Sequence, residues 1–220
     1  MGFLAGKRLL VTGVLNNRSI AYGVARACHR EGAELAFSYV GERFKDRITE
    51  TAAEFGSKLV FDCDVGSDEQ IEALFAGLKQ AWPEGFDGFV HSIGFAPREA
   101  IAGQFLDGLS RESFRVAHDI SAYSFPAMAK AALPHLRERS ALLTMTYLGA
   151  VRAVPAYNTM GLAKARWRPA CATWRRAWAP RASASTASRP ARSRRSRLRA
   201  SRASASCWAC SRPTRRCAAR

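Results

Sequence analysis

The carboxy-terminal quarter of the sequence lacks most of the residues from which folded domains are built. Residues 166–220 contain no Lys, Asp, Glu or Gly, and Leu198 is their only branched aliphatic residue. They use eight residue types and include 16 Arg, which leaves 18 basic and 18 acidic residues in residues 1–165. The net charge of +16 therefore lies entirely in this tail. A segment with so little apolar surface and charge of one sign cannot bury a core, and we expect it to be disordered.

Three interpretations of residues 166–220 compete. In the first, the tail is a basic arm that binds nucleic acid, because Arg neutralises phosphate. The four Trp and four Cys of this tail are unusual in such arms. Cys207 and Cys210 have the two-residue gap of a zinc ligand pair, but no second pair at matching spacing and no nearby His completes a set of four ligands. The third interpretation is that a GC-rich gene is translated out of frame here.

The genetic code favours the third interpretation. Codons can be chosen for residues 166–174 that encode LEACVRYL when they are read two nucleotides further on. In the same shifted frame, codons for residues 184–193 encode VNGISAGPI. The first string is typical of an amphipathic helix, and the second is typical of a strand followed by a Gly/Pro loop. Because the same two-nucleotide shift gives both strings, the sequence indicates a frameshift after Ala165.

Residues 1–165 lack the features of exported and membrane proteins. They contain two Cys, Cys28 and Cys63, in unrelated contexts, which is too few for a disulfide framework. No charged and then apolar leader precedes Lys7, and no apolar run is long enough to cross a bilayer. These absences predict a cytoplasmic protein without a membrane partner.

Short apolar runs alternate with helix-length amphipathic runs through residues 1–165, a length that suits one domain. The pattern predicts strands at residues 7–12, 34–39, 58–61, 86–91 and 140–146, and helices at residues 19–31, 41–55, 67–82 and 110–137, with another helix starting near Pro155. Strands separated by crossover helices pair in parallel. We therefore expect an α/β fold with a doubly wound, Rossmann-like parallel sheet, truncated after the fifth strand and the start of the following helix.

Ligands of a doubly wound sheet bind at the carboxyl ends of the strands. After the first predicted strand, Gly13 permits a turn, and Ser19 can cap a helix whose N-terminus offers amides to a diphosphate. After the third strand, Asp64 is placed to accept a hydrogen bond from an adenine amino group, with Val65 against the ring, but the same residues also suit the start of the next helix. After the fourth strand, Ile93 offers apolar contact to a cofactor.

Tyr147, Tyr157 and Lys164 are the candidate catalytic residues. Tyr157 and Lys164 are seven residues apart on a predicted helix, about two turns, so both project from one face. A nearby ammonium favours the tyrosinate form and lowers the phenol pKa from about 10. Such a pair can hydrogen-bond and then protonate an oxyanion. The spacing also suits two surface side chains that extend into solvent. We interpret His91 as a strand-end histidine and not as a catalyst.

Residues 1–165 resemble the bacterial NADH-dependent enoyl-[acyl-carrier-protein] reductases, a divergent branch of the short-chain dehydrogenases/reductases. The resemblance rests on the strings MGFLAGKRLLVTG, SIAYG, REGAELAFSY, CDV, DGFVHSIGFAP, AHDISAYSF, TYLGA and YNTMGLAKA. The six-residue gap between Tyr157 and Lys164, with Met160 inside it, is specific to that branch. The family continues with segments similar to the two strings that the shifted frame returns.

The resemblance implies an oxidoreductase that reduces the 2,3 double bond of trans-2-enoyl-[acyl-carrier-protein] with NADH in fatty acid elongation. Tyr157 would stabilise the enolate, Lys164 would hold the nicotinamide ribose and Tyr147 would shape the acyl pocket. The implied NADH site consists of Gly13, Ser19, Ile20, Val40, Asp64, Val65, Ile93 and Lys164, with the backbone of Ala96 at the substrate. Acyl carrier protein is the implied partner and a homotetramer the implied assembly, whereas no flavin or metal is implied.

The sequence departs from the family in two respects. Val40 stands where the family commonly has Gln, so that recognition of the adenosine ribose there would rely on backbone and apolar contact. The family's loop and helix after the sixth strand, which cover the nicotinamide and the acyl chain, are not encoded in frame, so the sixth strand's place is expected to be empty and the activity of the chain as translated is left open. The alternative function is a non-catalytic dinucleotide-binding fragment with a basic tail that binds nucleic acid, which steep salt dependence would reveal.

Overall fold

The computed structural model describes residues 2–167, residue 173 and the backbone of residues 207–211. Six strands form one sheet in the order β3-β2-β1-β4-β5-β6, and β1 to β5 are parallel. Their bounds are β1 Arg8–Val11, β2 Glu34–Tyr39, β3 Val60–Asp62, β4 Phe86–His91, β5 Leu136–Met145 and β6 Cys207–Ser211. The doubly wound parallel sheet that the sequence predicts is confirmed.

Within residues 2–167, six α-helices connect or follow these strands. Their bounds are α1 Ile20–Arg30, α2 Lys45–Glu54, α3 Asp68–Ala81, α4 Arg111–His118, α5 Ser124–Ala132 and α6 Asn158–Ala165. A π-helical turn, Asp119–Tyr123, joins α4 to α5. No helix in the part of the chain that the structure describes is both long and apolar enough to span a bilayer.

Two apolar cores lie on opposite faces of the sheet, since successive strand residues point to opposite sides. Leu10 and Phe89 pack with buried residues of α3 and α5 in one core. Their neighbours Val11 and Val90 pack with α1 and α2 in the other. Because both faces of the central strands are covered, all six positions of β4 are buried, including the polar side chains of Asp87 and His91.

The predicted helix at residues 110–137 is too long at its carboxyl end. Regular α-helix ends at Ala132, a short 3₁₀ turn contains Pro134, and β5 already begins at Leu136. Pro134 cannot donate a backbone hydrogen bond and disfavours helix in the residue before it. The predicted strand at 140–146 is correspondingly too short at its start, where a register shift against β4 lies between Leu136 and Ala141.

The place beside β5 is occupied, which corrects the expectation that it would be empty. β6 pairs with β5 in the antiparallel direction, from Ala141 opposite Ser211 to Met145 opposite Cys207. An unpaired strand edge offers a row of backbone donors and acceptors to any extended segment, so pairing needs no particular side chains. Most of the segment expected to be disordered lies outside the described residues.

His91 is a buried structural residue, as interpreted from the sequence. Its ring is fully buried at the end of β4, with Nε2 2.9 Å from Ser124 Oγ. That hydroxyl donates to the Ile120 carbonyl, so it accepts from the ring N–H of a neutral imidazole. Burial, followed by the charge of Lys164, lowers the pKa of His91 to about 3.

We expect His91 to make the fold less stable in acid. The unfolded chain takes up a proton near pH 6.5 and the folded chain does not, so the stability is complete above pH 6.5 and decreases as pH falls toward 3. The free energy of unfolding should lose up to about 1.4 kcal/mol per pH unit in this range from this residue alone. Urea unfolding of the parent and of His91→Gln across pH 4 to 7 measures the difference, and parallel pH profiles would contradict the assignment.

Candidate active site

The candidate site lies where the strand order reverses, between β1 and β4, because neighbouring connections leave the sheet there on opposite faces. Gly13 follows β1 with φ of 78°, and a Cβ at this position would lie 2.1 Å from the Ser92 carbonyl oxygen. Glycine is required at this position both for its conformation and for the close approach of the two loops. At Gly13 the site is therefore lined by backbone atoms alone.

The N-terminus of α1 opens onto the same edge of the sheet. Ser19 caps it: the hydroxyl accepts from the Tyr22 N–H at 3.3 Å and donates to the Asn16 carbonyl at 2.7 Å. Ile20, the first residue of α1, exposes 60% of its surface. The first amides of a helix lack partners within it and carry partial positive charge, so this end of α1 is suited to an anion.

The predicted adenine contacts have different surroundings in the fold. Val40 is exposed at the end of β2. The exposed Asp64 accepts from the Gly66 N–H at 2.9 Å and so stabilises its own turn. Val65 is only 6% exposed and packs in the core with α3, which leaves little of it for a ligand. Both interpretations of this segment thus find support: Asp64 is accessible at the sheet edge, and Val65 is mainly structural.

Lys164 reaches the loop after β4 from the last turn of α6. Its Nζ donates to the Ile93 carbonyl at 3.0 Å. A Cβ on Gly94 would lie 2.9 Å from Lys164 Nζ. Ala96, the predicted substrate contact, follows Phe95 in this loop and is half-buried. Burial lowers the pKa of Lys164 to about 7, and only 8% of the residue is exposed.

Tyr147 and Tyr157 pack edge to face and together line a cleft at the carboxyl end of β5. Their ring centroids are 4.8 Å apart with the planes inclined at 60°. The cleft has a volume of about 390 Å³ and is lined by Ile20, Met145, Thr146, Tyr147, Val154, Pro155, Tyr157 and Lys164. Tyr157 lies immediately before α6 and not within it, but it shares the cleft with Lys164, as the seven-residue spacing predicts.

The predicted lowering of the Tyr157 pKa is wrong for this structure. Burial, followed by the neighbouring Tyr147, raises the pKa of Tyr157 to about 12. The ammonium of Lys164 is directed at the Ile93 carbonyl, and desolvation of the phenol dominates. Tyr157 is therefore a neutral phenol at physiological pH, a hydrogen-bond donor and not a base.

Residues 13–183 match the profile of the family described as enoyl-(acyl carrier protein) reductase, which is more than half of the chain. The chain belongs to the enoyl-(acyl carrier protein) reductase family. The enoyl-[acyl-carrier-protein] reductase [NADH] of Neisseria meningitidis is 59% identical over 166 residues, 75% of this chain and 63% of that protein. The chain thus spans less than two thirds of the length of this relative.

Solved structures of the family share the fold. The crystal structure of the enoyl-[acyl-carrier-protein] reductase (NADH) from Aquifex aeolicus is similar with a TM-score of 0.78 and 46% identity, over 81% of this chain and 76% of that one. The enoyl-(acyl-carrier-protein) reductase from Anaplasma phagocytophilum, solved in complex with NAD, has a TM-score of 0.78 and 32% identity, over 82% of this chain and 69% of that one. The family resemblance stated from the sequence is confirmed.

Two residues of this reductase-family site escaped the sequence analysis. Ser121, in the π-helical turn, is fully buried, and its hydroxyl accepts from the Phe95 N–H and donates to the Phe95 carbonyl, each at 2.9 Å. Trp167 lies in the segment expected to be disordered, yet it is buried, donates from its indole to the Ser121 carbonyl and lies with its ring centre 3.7 Å from Lys164 Nζ. The sequence signal that could have predicted a buried polar role for Ser121 is its place between the apolar residues Ile120 and Ala122.

Proposed function

We propose that the chain is an NADH-dependent reductase of trans-2-enoyl thioesters. One observation carries the proposal: Tyr147, Tyr157 and Lys164 line a single cleft beside the point where the strand order reverses. A neutral phenol and an amine at the place where the fold receives a nucleotide are suited to stabilising an oxyanion next to a reduced cofactor.

The residues at this edge fit a dinucleotide. The capped N-terminus of α1 suits a diphosphate, and the backbone at Gly13 allows close approach from the sheet side. Lys164 is placed to donate to ribose hydroxyls, since its Nζ already donates to a neutral carbonyl oxygen. Ile20 and Val40 expose apolar surface at the same edge. We propose that these residues hold NADH, together with Ser19, Asp64 and Ile93, whereas Val65 supports the site from the core.

The acid–base chemistry of the proposed reaction belongs to Tyr157. Bound NADH supplies the hydride that the β-carbon of the enoyl thioester accepts. Tyr157 Oη would donate a hydrogen bond to the thioester carbonyl oxygen, stabilise the enolate as negative charge develops there and pass its proton to that oxygen. Water would then reprotonate the phenol, and tautomerisation of the enol would give the saturated thioester. With its pKa at about 12, the phenol remains protonated for this task throughout the physiological range.

Lys164 and Tyr147 have supporting roles in the proposal. Lys164 holds the ribose, and with its pKa lowered by burial to about 7 it is about half protonated at neutral pH in the cleft that contains the phenol. Tyr147 packs its ring against Tyr157 and so borders the space for the acyl thioester, while the backbone of Ala96 contacts the substrate. Acyl carrier protein as the donor of the thioester, assembly into a homotetramer and residence in the cytoplasm belong to the same proposal.

Two measurements on this chain test the function. Calorimetric titration with NADH should give saturable binding that tolerates salt, because the proposed NADH contacts all lie in residues 13–164 and not in the Arg-rich residues of the tail. Addition of a trans-2-enoyl thioester should then consume NADH, and the matching saturated thioester should not. NADH binding without NADH consumption would contradict the proposed catalysis and support only the cofactor site. If NADH did not bind but a nucleic acid did, with affinity that falls steeply with salt, the alternative function would replace this one.

A further inference from the structure

The residues on both sides of Tyr157 have a left-handed backbone conformation that residues other than glycine seldom adopt. Ala156 has φ of 56° and Asn158 has φ of 35°, so the tyrosine lies between two left-handed residues that are not glycine. Each such residue costs of order 1–3 kcal/mol and persists only where surrounding contacts hold it. Asn tolerates this region better than most residues, which is a reason for its presence at position 158.

Asn158 is tied to a distant loop by its side chain. Nδ2 donates to the carbonyl oxygens of Ile101 and Gly103, each at 3.2 Å, across more than 50 residues of sequence. An amide nitrogen carries two N–H groups and can satisfy both carbonyls, whereas a carboxylate can satisfy neither. The side chain therefore connects the start of α6 to the loop that follows β4.

The Tyr157 ring is held on another side by glycine. A Cβ on Gly149 would lie 2.2 Å from Tyr157 Cδ1, so the ring lies directly on the backbone of the loop after β5. Tyr157 and Asn158 also line a second cleft of about 510 Å³, with Phe105 and Leu162 among its other walls. Space thus exists beside the ring, and the contacts of Asn158 and Gly149 determine which position the phenol takes.

We propose that Asn158 is a positioning residue for Tyr157. By anchoring the left-handed turn to the carbonyls of Ile101 and Gly103, it holds the phenol at the cleft that it shares with Lys164 and keeps it out of the second cleft. Asn158 does not touch the reacting atoms. The inference rests on the proposed function for its effect on turnover, and on the structure alone for its effect on the ring.

Asn158→Asp and Asn158→Gly test the anchor in different ways. Both remove the two donors, but glycine adopts the left-handed conformation without strain. In both variants the Tyr157 ring resonance, assigned by comparison with Tyr157→Phe in protein carrying labelled tyrosine, should shift or broaden. In both, kcat should fall about 10²-fold, as expected for a misplaced catalytic group, while the Kd for NADH stays within about twofold of the parent. Gln80→Glu, an amide-to-acid change on the exposed face of α3, is the control and should alter neither.

The outcomes separate this inference from the proposed function. An unchanged Tyr157 resonance and unchanged kcat in Asn158→Gly would overturn the positioning role. A loss of NADH affinity equal to the loss of kcat would also overturn it, since a general structural defect would then explain both. A parent chain that neither binds NADH nor turns over would refute the proposed function, and the ring resonance would still decide the role of Asn158.

Discussion

Tyr157→Phe should lower kcat for enoyl reduction about 10²- to 10³-fold and leave the NADH dissociation constant nearly unchanged. In the proposed mechanism the phenol acts on the developing enolate and not on the cofactor, and loss of one oxyanion donor costs about 2.7–4 kcal/mol of transition-state stabilisation. Phenylalanine keeps the ring that packs on Tyr147, so the cleft should keep its shape. The measurement is kcat alongside the NADH Kd.

Lys164→Ala should behave differently, because its Nζ is the group proposed to hold the ribose. Hydrogen bonds to a charged group contribute about 1.5–3 kcal/mol, so NADH affinity should fall roughly 10- to 100-fold together with the rate. Tyr147→Phe should be milder and depend on the substrate, since Tyr147 is proposed to position the thioester. If Lys164→Ala bound NADH as well as the parent while Tyr157→Phe lost it, the two roles would be assigned the wrong way round.

The comparison should be made in two backgrounds. One is the chain as it stands, and the other keeps Trp167, which packs on Lys164, and replaces residues 168–220 by the corresponding segment of the Neisseria meningitidis relative. The three variants should rank in the same order in both, because the cleft is formed by residues before the replaced segment. Activity that appears only in the second background would show that the segment taken from the relative is needed for turnover.

Gly13→Ala should destabilise the fold by about 2–5 kcal/mol and abolish measurable NADH binding. The left-handed backbone accounts for about 1–2 kcal/mol of this. The added Cβ would lie 2.1 Å from the Ser92 carbonyl oxygen, so the loops after β1 and β4 must separate, which adds about 1–3 kcal/mol. Denaturant unfolding and calorimetric titration of the same sample measure the two effects.

Gly6→Ala is the matched control for this variant. Gly6 has nearly the same φ, 73°, but a Cβ there would meet no atom within 4 Å, and the residue is exposed before β1. It should cost about 1–2 kcal/mol and leave NADH binding intact. Equal losses of stability in the two variants would mean that the contact with Ser92 does not constrain the site.

Much of this site could be predicted from residue order alone. A parallel sheet brings the segments after its strands to one edge, so Gly13 and Ile93 were predicted to lie at the same edge, and the structure places Gly13 against the Ser92 carbonyl in the loop after β4. The spacing of Tyr157 and Lys164 indicated a shared cleft, which the structure contains. The environment of these groups could not be predicted, because a pKa depends on the neighbours that the fold supplies. Desolvation raises the pKa of Tyr157 where a neighbouring charge was expected to lower it.

The sequence by itself determined the alternation of strands and helices, the family and the identity of the two tyrosines and the lysine. It also determined the break in composition after Ala165, since these are local patterns of residue type and spacing. Only the tertiary structure decided that the Trp167 indole donates to the Ser121 carbonyl, that Asn158 anchors the turn next to Tyr157 and that β6 lies antiparallel along β5. These contacts join residues tens of positions apart and use backbone atoms that every residue possesses, so no local pattern encodes them.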